Sequence, residues 1–282
     1  MRIVKRKRGR ETYFYLQHSM RRDNKVVTRE VYLGKEIPKN LTKYKDVLEK
    51  ETIRNTIEKL EKIKDNFQKD WKNRPKSAKE AELESIAIAF TYNTNAIEGS
   101  KITLPETMNI LKGGFAPNKS IRDIKETENH RKVFFEMLTD TVPLSQNLVR
   151  RWHKELFEET KPDIAGVFRN YGVSVGGYLA PNWWEVPRLM RELINFSNKA
   201  RLNPVELAAR VHYRFEKIHP FGDGNGRAGR LLMNYLLWKN GYPMLIIEYK
   251  RRQAYYKAFS TEEGFKKYLL RLYISVHKSG YL

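Results

Sequence analysis

The sequence predicts a mainly α-helical protein with two small β additions. Three observations carry that expectation. Helix-start signals precede amphipathic segments at Ser77, Thr103 and Asn203. Apolar residues beyond them recur at three- and four-residue intervals. β-formers cluster only at residues 12–33, and a glycine-rich extended stretch only at 166–182.

Taken in order, residues 1–10 read as a flexible basic arm. Thr12-Tyr13-Phe14-Tyr15-Leu16 and Val26–Leu33 flank Arg22-Asp23-Asn24-Lys25 and read as a small hairpin. A lone hairpin is marginal in water, so it has to pack on something. Residues 41–72 read as one helix or two, with Ile53, Ile57, Leu60, Phe67 and Trp71 at helical spacing and Arg74-Pro75 as the stop. Ser77-Ala78-Lys79-Glu80 forms a capping box for a helix toward Glu98, and Gly99 can supply its left-handed end. Thr103-Leu104-Pro105-Glu106 repeats the start signal and Gly113-Gly114 the stop. Amphipathic segments follow near 121–139 and 145–159. Val173, Val175 and Tyr178 stand among Gly172, Gly176, Gly177 and Pro181, which suggests an extended flap. Asn203-Pro204-Val205-Glu206 opens a helix whose apolar face is Leu207, Val211, Phe215 and Ile218. Another helix contains Leu231, Leu232, Tyr235 and Leu236 and stops at Gly241, and 251–278 is helix-rich again. The expected division is a basic N-terminal region, 1–75, and a main domain, 76–282.

With 282 residues, 40% of them hydrophobic, the chain can bury a sizeable core, which excludes wholesale disorder. The absence of cysteine removes disulfides, thiol nucleophiles and cysteine-based zinc sites together. No apolar run approaches the roughly 18 residues of a membrane span, and no apolar segment follows the basic start, so a cytoplasmic protein is expected. The net charge is +21, and residues 1–75 hold 22 Lys and Arg against 11 Asp and Glu. Such a field attracts nucleic acid, anionic lipid or acidic proteins without selectivity. No nucleic-acid module is recognisable, so a solvated lysine-rich surface is the plainer reading.

The chemistry concentrates in His219-Pro220-Phe221-Gly222-Asp223-Gly224-Asn225-Gly226-Arg227-Ala228-Gly229-Arg230, between two helices. Gly224 and Gly226 permit tight turning and close ligand approach. The first N–H groups of the following helix, with the dipole behind them, make an anion site. Arg227 and Arg230, three residues apart, put two guanidinium groups near that end, which suits a polyphosphate. Asp223 adds a hard oxygen suited to magnesium. His219 is the nearby group able to take a proton at neutral pH. A P-loop needs a spacing that is absent here, and an EF-hand starting at Asp223 would need Gly and Glu where Ala228 and Asn234 stand. A glycine-rich connection with a capping Asp and a surface His accounts for the composition equally well.

The segment matches the Fic-domain motif, His-Pro-Phe-x-Asp/Glu-Gly-Asn-Gly-Arg-x-x-Arg, at every defined position. The resemblance extends over roughly residues 80–275. Thr94-Asn95-Ala96-Ile97-Glu98-Gly99 resembles the family's inhibitory motif, placed before the core on a helix of about 77–99. Gly166-Val167-Phe168-Arg169 with Val173–Pro181 looks like its flap, and Tyr255-Tyr256 resembles the paired tyrosines near its nucleotide pocket. Glu262-Glu263 stand where many relatives have an Asn facing the base. The resemblance implies a Fic-fold helical bundle and protein adenylylation: AMP moves from ATP to a Ser, Thr or Tyr hydroxyl of a target protein, releasing pyrophosphate. It makes His219 the general base and Asp223 the magnesium ligand. Gly224, Asn225 and Gly226 become the anion hole, and Arg227 and Arg230 the partners of the β- and γ-phosphates.

Glu98, beside a helix C-terminus, opposes the dipole and wants a cation, and the resemblance names Arg230. That pair would occupy the γ-phosphate site and hold the enzyme inactive. The flap would present Val173, Ser174 and Val175 as an edge to which a target adds a strand. Trp183-Trp184 beside it could anchor a target or belong to the core, and one of the two is expected to be core. His130, His153 and His212 are expected to be packing or surface residues. The same fold could run the reverse de-adenylylation or move another phosphate-containing group. The basic N-terminal region could instead serve a nucleic-acid-associated regulator, a protein partner or a second copy in a homodimer.

Overall fold

The computed structural model describes residues 1–22, 25–113 and 118–282. Asp23 and Asn24 of the expected turn, and Gly114 of the expected stop, lie outside the described residues. The chain divides into two compact units, Met1–Lys62 and Ile63–Leu282.

The first unit holds β1 (Arg2–Arg8), β2 (Glu11–Arg22), β3 (Lys25–Gly34) and the first part of α1 (Thr42–Asn73). The sheet is antiparallel in the order β1-β2-β3. The segment expected as a flexible arm is thus a third strand. Gly9, at φ 60°, lets the chain reverse at once, and Ile3 then comes into register with Leu16. One face of the sheet supplies the packing that the hairpin required. Leu16 and Leu33 bury against Leu48 of α1, with Phe14, Val31, Leu41 and Tyr44 around them.

The division falls inside α1, whereas the sequence placed it at Arg74-Pro75. The reason is that the second half of α1 packs on the second unit. Trp71 meets Trp238 edge-on at 5.5 Å, and Phe67 meets Tyr281 at 5.6 Å. The rest of that unit comprises α2 (Lys76–Ile97), α3 (Leu104–Gly113), α4 (Ile121–Thr139), α5 (Gln146–Phe157), β4 (Ser174–Val175), β5 (Tyr178–Leu179), α6 (Val186–Lys199), α7 (Pro204–Ile218), α8 (Asn225–Lys239), α9 (Arg252–Ala258) and α10 (Glu262–Tyr281). No described helix is long and apolar enough to cross a membrane.

Local chemistry sets most boundaries. Thr103 and Glu106 cap α3 reciprocally, the Thr103 N–H donating to Glu106 Oε2 at 2.8 Å. Ser120, Ser145, Asn203 and Thr261 each cap a helix through the side chain. Ser77 does not. α2 starts at Lys76 because Pro75, at φ −58°, ends α1 and lets the next helix begin immediately. α6 is a helix that the sequence reading passed over, although Val186, Met190, Leu193 and Ile194 line one buried stripe. Trp183 and Trp184 form a short turn before that stripe begins and are 42% and 62% exposed, so neither is core. At the centre lies α8, buried from Arg227 to Leu237 and packed against α2, α4, α5 and α7. Gly229 permits the close approach of α7: a Cβ there would stand 2.8 Å from both Glu216 Oε1 and His212 Nδ1.

Candidate active site

The site forms where α7 gives way to α8. His219 caps α7 at φ 49°, the one non-glycine residue at positive φ among the described residues. A left-handed histidine costs about 1–2 kcal/mol, so the surroundings must hold it there. Arg169 does so. Its guanidinium, 4% exposed, donates to the carbonyls of His219 (2.8 Å), Tyr171 (2.8 Å) and Pro181 (2.6 Å). Burial, followed by the charge of Arg169, lowers the His219 pKa below its usual 6.5. The imidazole is therefore neutral at pH 7 and able to accept a proton.

The turn after His219 is braced from within. The Asn225 amide brackets Phe221, accepting from its N–H at 2.9 Å and donating to its carbonyl at 2.9 Å. The Phe221 ring stacks on His153 with centroids 3.7 Å apart. His153 accepts from the Gly166 N–H at Nδ1 (3.0 Å), which leaves Nε2 to donate to the Asp223 carbonyl (2.8 Å). Its pKa, lowered to about 4 chiefly by burial, keeps this arrangement neutral. Gly224 sits at φ 76° against the Phe157 ring, where a Cβ would come within 2.2 Å. α8 then starts without a side-chain cap. Its ladder begins with Ala228 N–H on the Gly224 carbonyl, so the N–H groups of Asn225, Gly226 and Arg227 have no acceptor within the helix. The Asn225 side chain is committed to the loop, which leaves only its backbone N–H free of the turn.

Glu98 closes the mouth of this turn. Gly99, at φ 94°, ends α2 as expected and leaves Glu98 as the C-cap. Arg230 donates to Glu98 Oε1 at 2.6 Å, to Thr94 Oγ1 at 2.6 Å and to the Thr94 carbonyl at 3.2 Å. Gly226 is needed for that approach, since a Cβ there would lie 2.1 Å from Glu98 Oε1. Glu98 lines two cavities. One, of about 600 Å³, contains His219, Gly226, Arg230, Tyr255, Tyr256 and Val175 of the flap. The other, of about 410 Å³, contains Asp223, Arg227, Lys161, Glu126, Arg122 and Gly99. Arg227 and Arg230, expected side by side, thus open into different cavities. Arg227 is ion-paired with Glu126 and lies over the Phe157 ring at 4.4 Å.

Tyr255 is buried with its hydroxyl 2.6 Å from His212 Nε2, while half-exposed Tyr256 donates to the Ile97 carbonyl at 2.8 Å, next to Glu98. Glu262 and Glu263 are taken up elsewhere, pairing with Arg210 and, for Glu262, Arg214. The flap is a two-residue ladder, Ser174 opposite Leu179 and Val175 opposite Tyr178, turned by Gly176 and Gly177 at φ 54° and 81°. Val173 closes it by accepting from the Ala180 N–H at 3.1 Å.

The sequence reading missed three residues of the site. Lys161 donates to Asp223 Oδ2 at 2.6 Å and reaches Glu126 Oε1 at 3.0 Å. Burial pushes the Asp223 carboxyl up, but Lys161 and Arg227 outweigh it and hold the pKa below 3.8. Glu126, from α4, anchors both cations. Glu216, behind Arg230, is pushed up to about 8 by burial, with Oε1 unpartnered. None of these stands near the motif in a way that spacing reveals, except Glu216, three residues before His219.

Residues 143–237 match the Fic/DOC family. Over 172 residues the chain is 35% identical to "Protein adenylyltransferase Fic" of Drosophila melanogaster and 34% identical to that of Drosophila virilis. These alignments cover 58% of this chain, which spans only about a third of the relatives' length (35% and 36%). A Fic domain containing signaling protein from Bacteroides thetaiotaomicron superposes with TM-score 0.70 at 25% identity, covering 78% of this chain and 94% of its own. Fic-1 from C. elegans (residues 134–508) shares the fold with TM-score 0.73 at 23% identity, over 85% of this chain and 74% of its own. Residues 143–237, which include the two-stranded hairpin and the turn from His219 to Arg230, are thus a Fic/DOC family domain, and the surrounding helical bundle is the fold of the solved Fic proteins.

Proposed function

We propose that the chain is a protein adenylyltransferase whose resting state is held inactive by Glu98. The carrying observation is that the neutral imidazole of His219, the uncapped start of α8 and Arg230 face one cavity, with the Glu98 carboxylate on the guanidinium. In this reading the α-phosphate of ATP sits over the free N–H groups of α8, and the adenosine lies toward Tyr255 and Tyr256. His219 takes the proton of the target hydroxyl. The hydroxyl oxygen bonds the α-phosphorus as the bond to the bridging oxygen breaks, and pyrophosphate leaves with that electron pair. Positioning and charge compensation by the helix start and the arginines supply the acceleration.

Magnesium fits this donor set. Asp223 offers an ionised, half-exposed carboxylate beside the helix start, which suits an ion held by one carboxylate plus substrate phosphates. Bound there it would neutralise charge on the phosphates. This chain's own contribution is to orient that carboxylate through the Gly224 N–H at 2.6 Å.

Glu98 occupies the Arg230 guanidinium that a terminal phosphate requires, and it stands on the wall between the two cavities. The test is mass spectrometry after incubating wild type, Glu98→Gly and Glu98→Gly/His219→Ala with ATP and magnesium. An AMP adduct should rise at least tenfold in the single variant and vanish in the double. No gain over wild type would sink the inhibitory role. An adduct that persists without His219 would sink the general base.

A further inference from the structure

Arg210, Arg214 and Lys217 stand along α7, and the two arginines are neutralised within the chain. Arg210 pairs with Glu206, Glu262 and Glu263, and Arg214 with Glu262. Lys217, two residues before His219, meets only rings. Its ammonium lies 4.3 Å from the Tyr178 centroid and 5.6 Å from that of Tyr213, with no carboxylate in reach among the described residues. Ring faces hold an ammonium in place without cancelling its charge. The charge sits on the flap's side of the site. Tyr178 belongs to β5, stands opposite Val175, and donates from its hydroxyl to the Lys217 carbonyl at 3.4 Å. Lys217 lines the His219 cavity together with Val175, Gly176 and Tyr178. Little else there offsets it. Residues 164–184 contain no Asp or Glu, and Glu185 beyond them is held by Arg188. Of the two carboxyls lining the cavity, Glu98 is bound to Arg230, and burial pushes Glu216 up to about 8, so it is protonated at pH 7.

We infer that Lys217 selects the target: the hydroxyl that enters this cavity belongs to an extended segment with an Asp or Glu beside it, and that carboxylate takes the Lys217 ammonium. The inference rests on the adenylyl-transfer reading and supplies the class of protein segment which that reading leaves open. A freely exposed lysine would gain little from such a pair. Here the side chain is half-buried and already held by two rings, so less freedom is lost on binding. Discrimination also comes from repulsion, since an incoming Lys or Arg would meet an ammonium with no acid to compensate it. The other anion at hand is a nucleotide phosphate. Arg230, assigned to it, is drawn toward α2 by Thr94 and Glu98, whereas Lys217 is fastened to the hairpin. Whatever lies along the flap therefore lies beside Lys217.

The test uses the full chain carrying Glu98→Gly, with ATP, magnesium and short synthetic peptides. Each peptide has a central Ser, Thr or Tyr flanked on either side by Glu, Gln or Lys, and AMP incorporation is read by mass spectrometry. The Glu peptides should be labelled about tenfold faster than the Gln peptides, and the Lys peptides slowest. Adding Lys217→Met, which keeps a stem against the rings, should bring the Glu-to-Gln ratio below about 2, while Lys217→Arg should preserve it. Lys217→Glu should invert the preference toward Lys. The KM for ATP should move less than about twofold in all three variants. Circular dichroism checks each fold. Equal labelling of the three peptide types, or AMP on the chain itself with none on any peptide, would overturn the inference alone. So would a large rise in the KM for ATP in Lys217→Met with the peptide ratio unchanged, which would put Lys217 on a phosphate. No AMP on chain or peptide would remove the adenylyl-transfer reading and this inference together.

Discussion

At the residue scale, the chemistry rests on burial setting the charge of single groups. His219 must be neutral to accept a proton, and burial disfavours its cation. The sign is fixed: protonation on acidification removes the base, and the lowered pKa moves that loss to lower pH. The acid limb of the pH–rate profile for AMP transfer by Glu98→Gly should therefore fall below pH 6.5, the usual value for histidine. A midpoint at or above that value would contradict the burial argument. Lys161 supports a second expectation. Its ammonium already lies on the Asp223 oxygen that the proposed reaction gives to magnesium. Lys161→Met should lower the magnesium concentration for half-maximal transfer several-fold, and an unchanged requirement would show that the two cations do not compete. The motif residues were legible because the turn is contiguous: one segment supplies the imidazole, the carboxylate, the glycines and both arginines. Lys161 and Glu126 were not, since they meet Asp223 and Arg227 only through folding, from positions 62 and 101 residues away.

At the element scale, helices announced themselves where a side chain caps them. Thr103 and Asn203 do so. Ser77 misled because proline geometry two residues earlier decided the start. α8 shows no narrow stripe because neighbours surround it, so its place at the centre could not be read from periodicity. The flap was legible from its glycines, which take the positive φ values that a two-residue turn requires. Its outer edge has no strand partner among the described residues. A target backbone that docks there needs the main-chain groups of β4. Val175→Pro should therefore reduce target labelling by Glu98→Gly at least tenfold while changing ATP affinity less than twofold. Equal loss of both would mean that the flap serves the nucleotide instead.

At the scale of the whole molecule, composition foretold a helical core and a basic amino-terminal region, but not where one unit gives way to the other. That boundary depends on which partner the aromatic residues of α1 choose, and Phe67 and Trp71 choose Trp238 and Tyr281. The arm became a strand for a related reason: β propensity in Arg2–Arg8 is modest, and cross-strand pairing with β2 supplies what the segment lacks alone. Arg169 carries the broadest consequence. One guanidinium clasps the peptide at His219 together with Tyr171 and Pro181, the two roots of the flap. Whatever pulls on the hairpin from outside therefore tugs on the peptide that aims the proton acceptor, so gripping a substrate and cocking the reaction are one mechanical event.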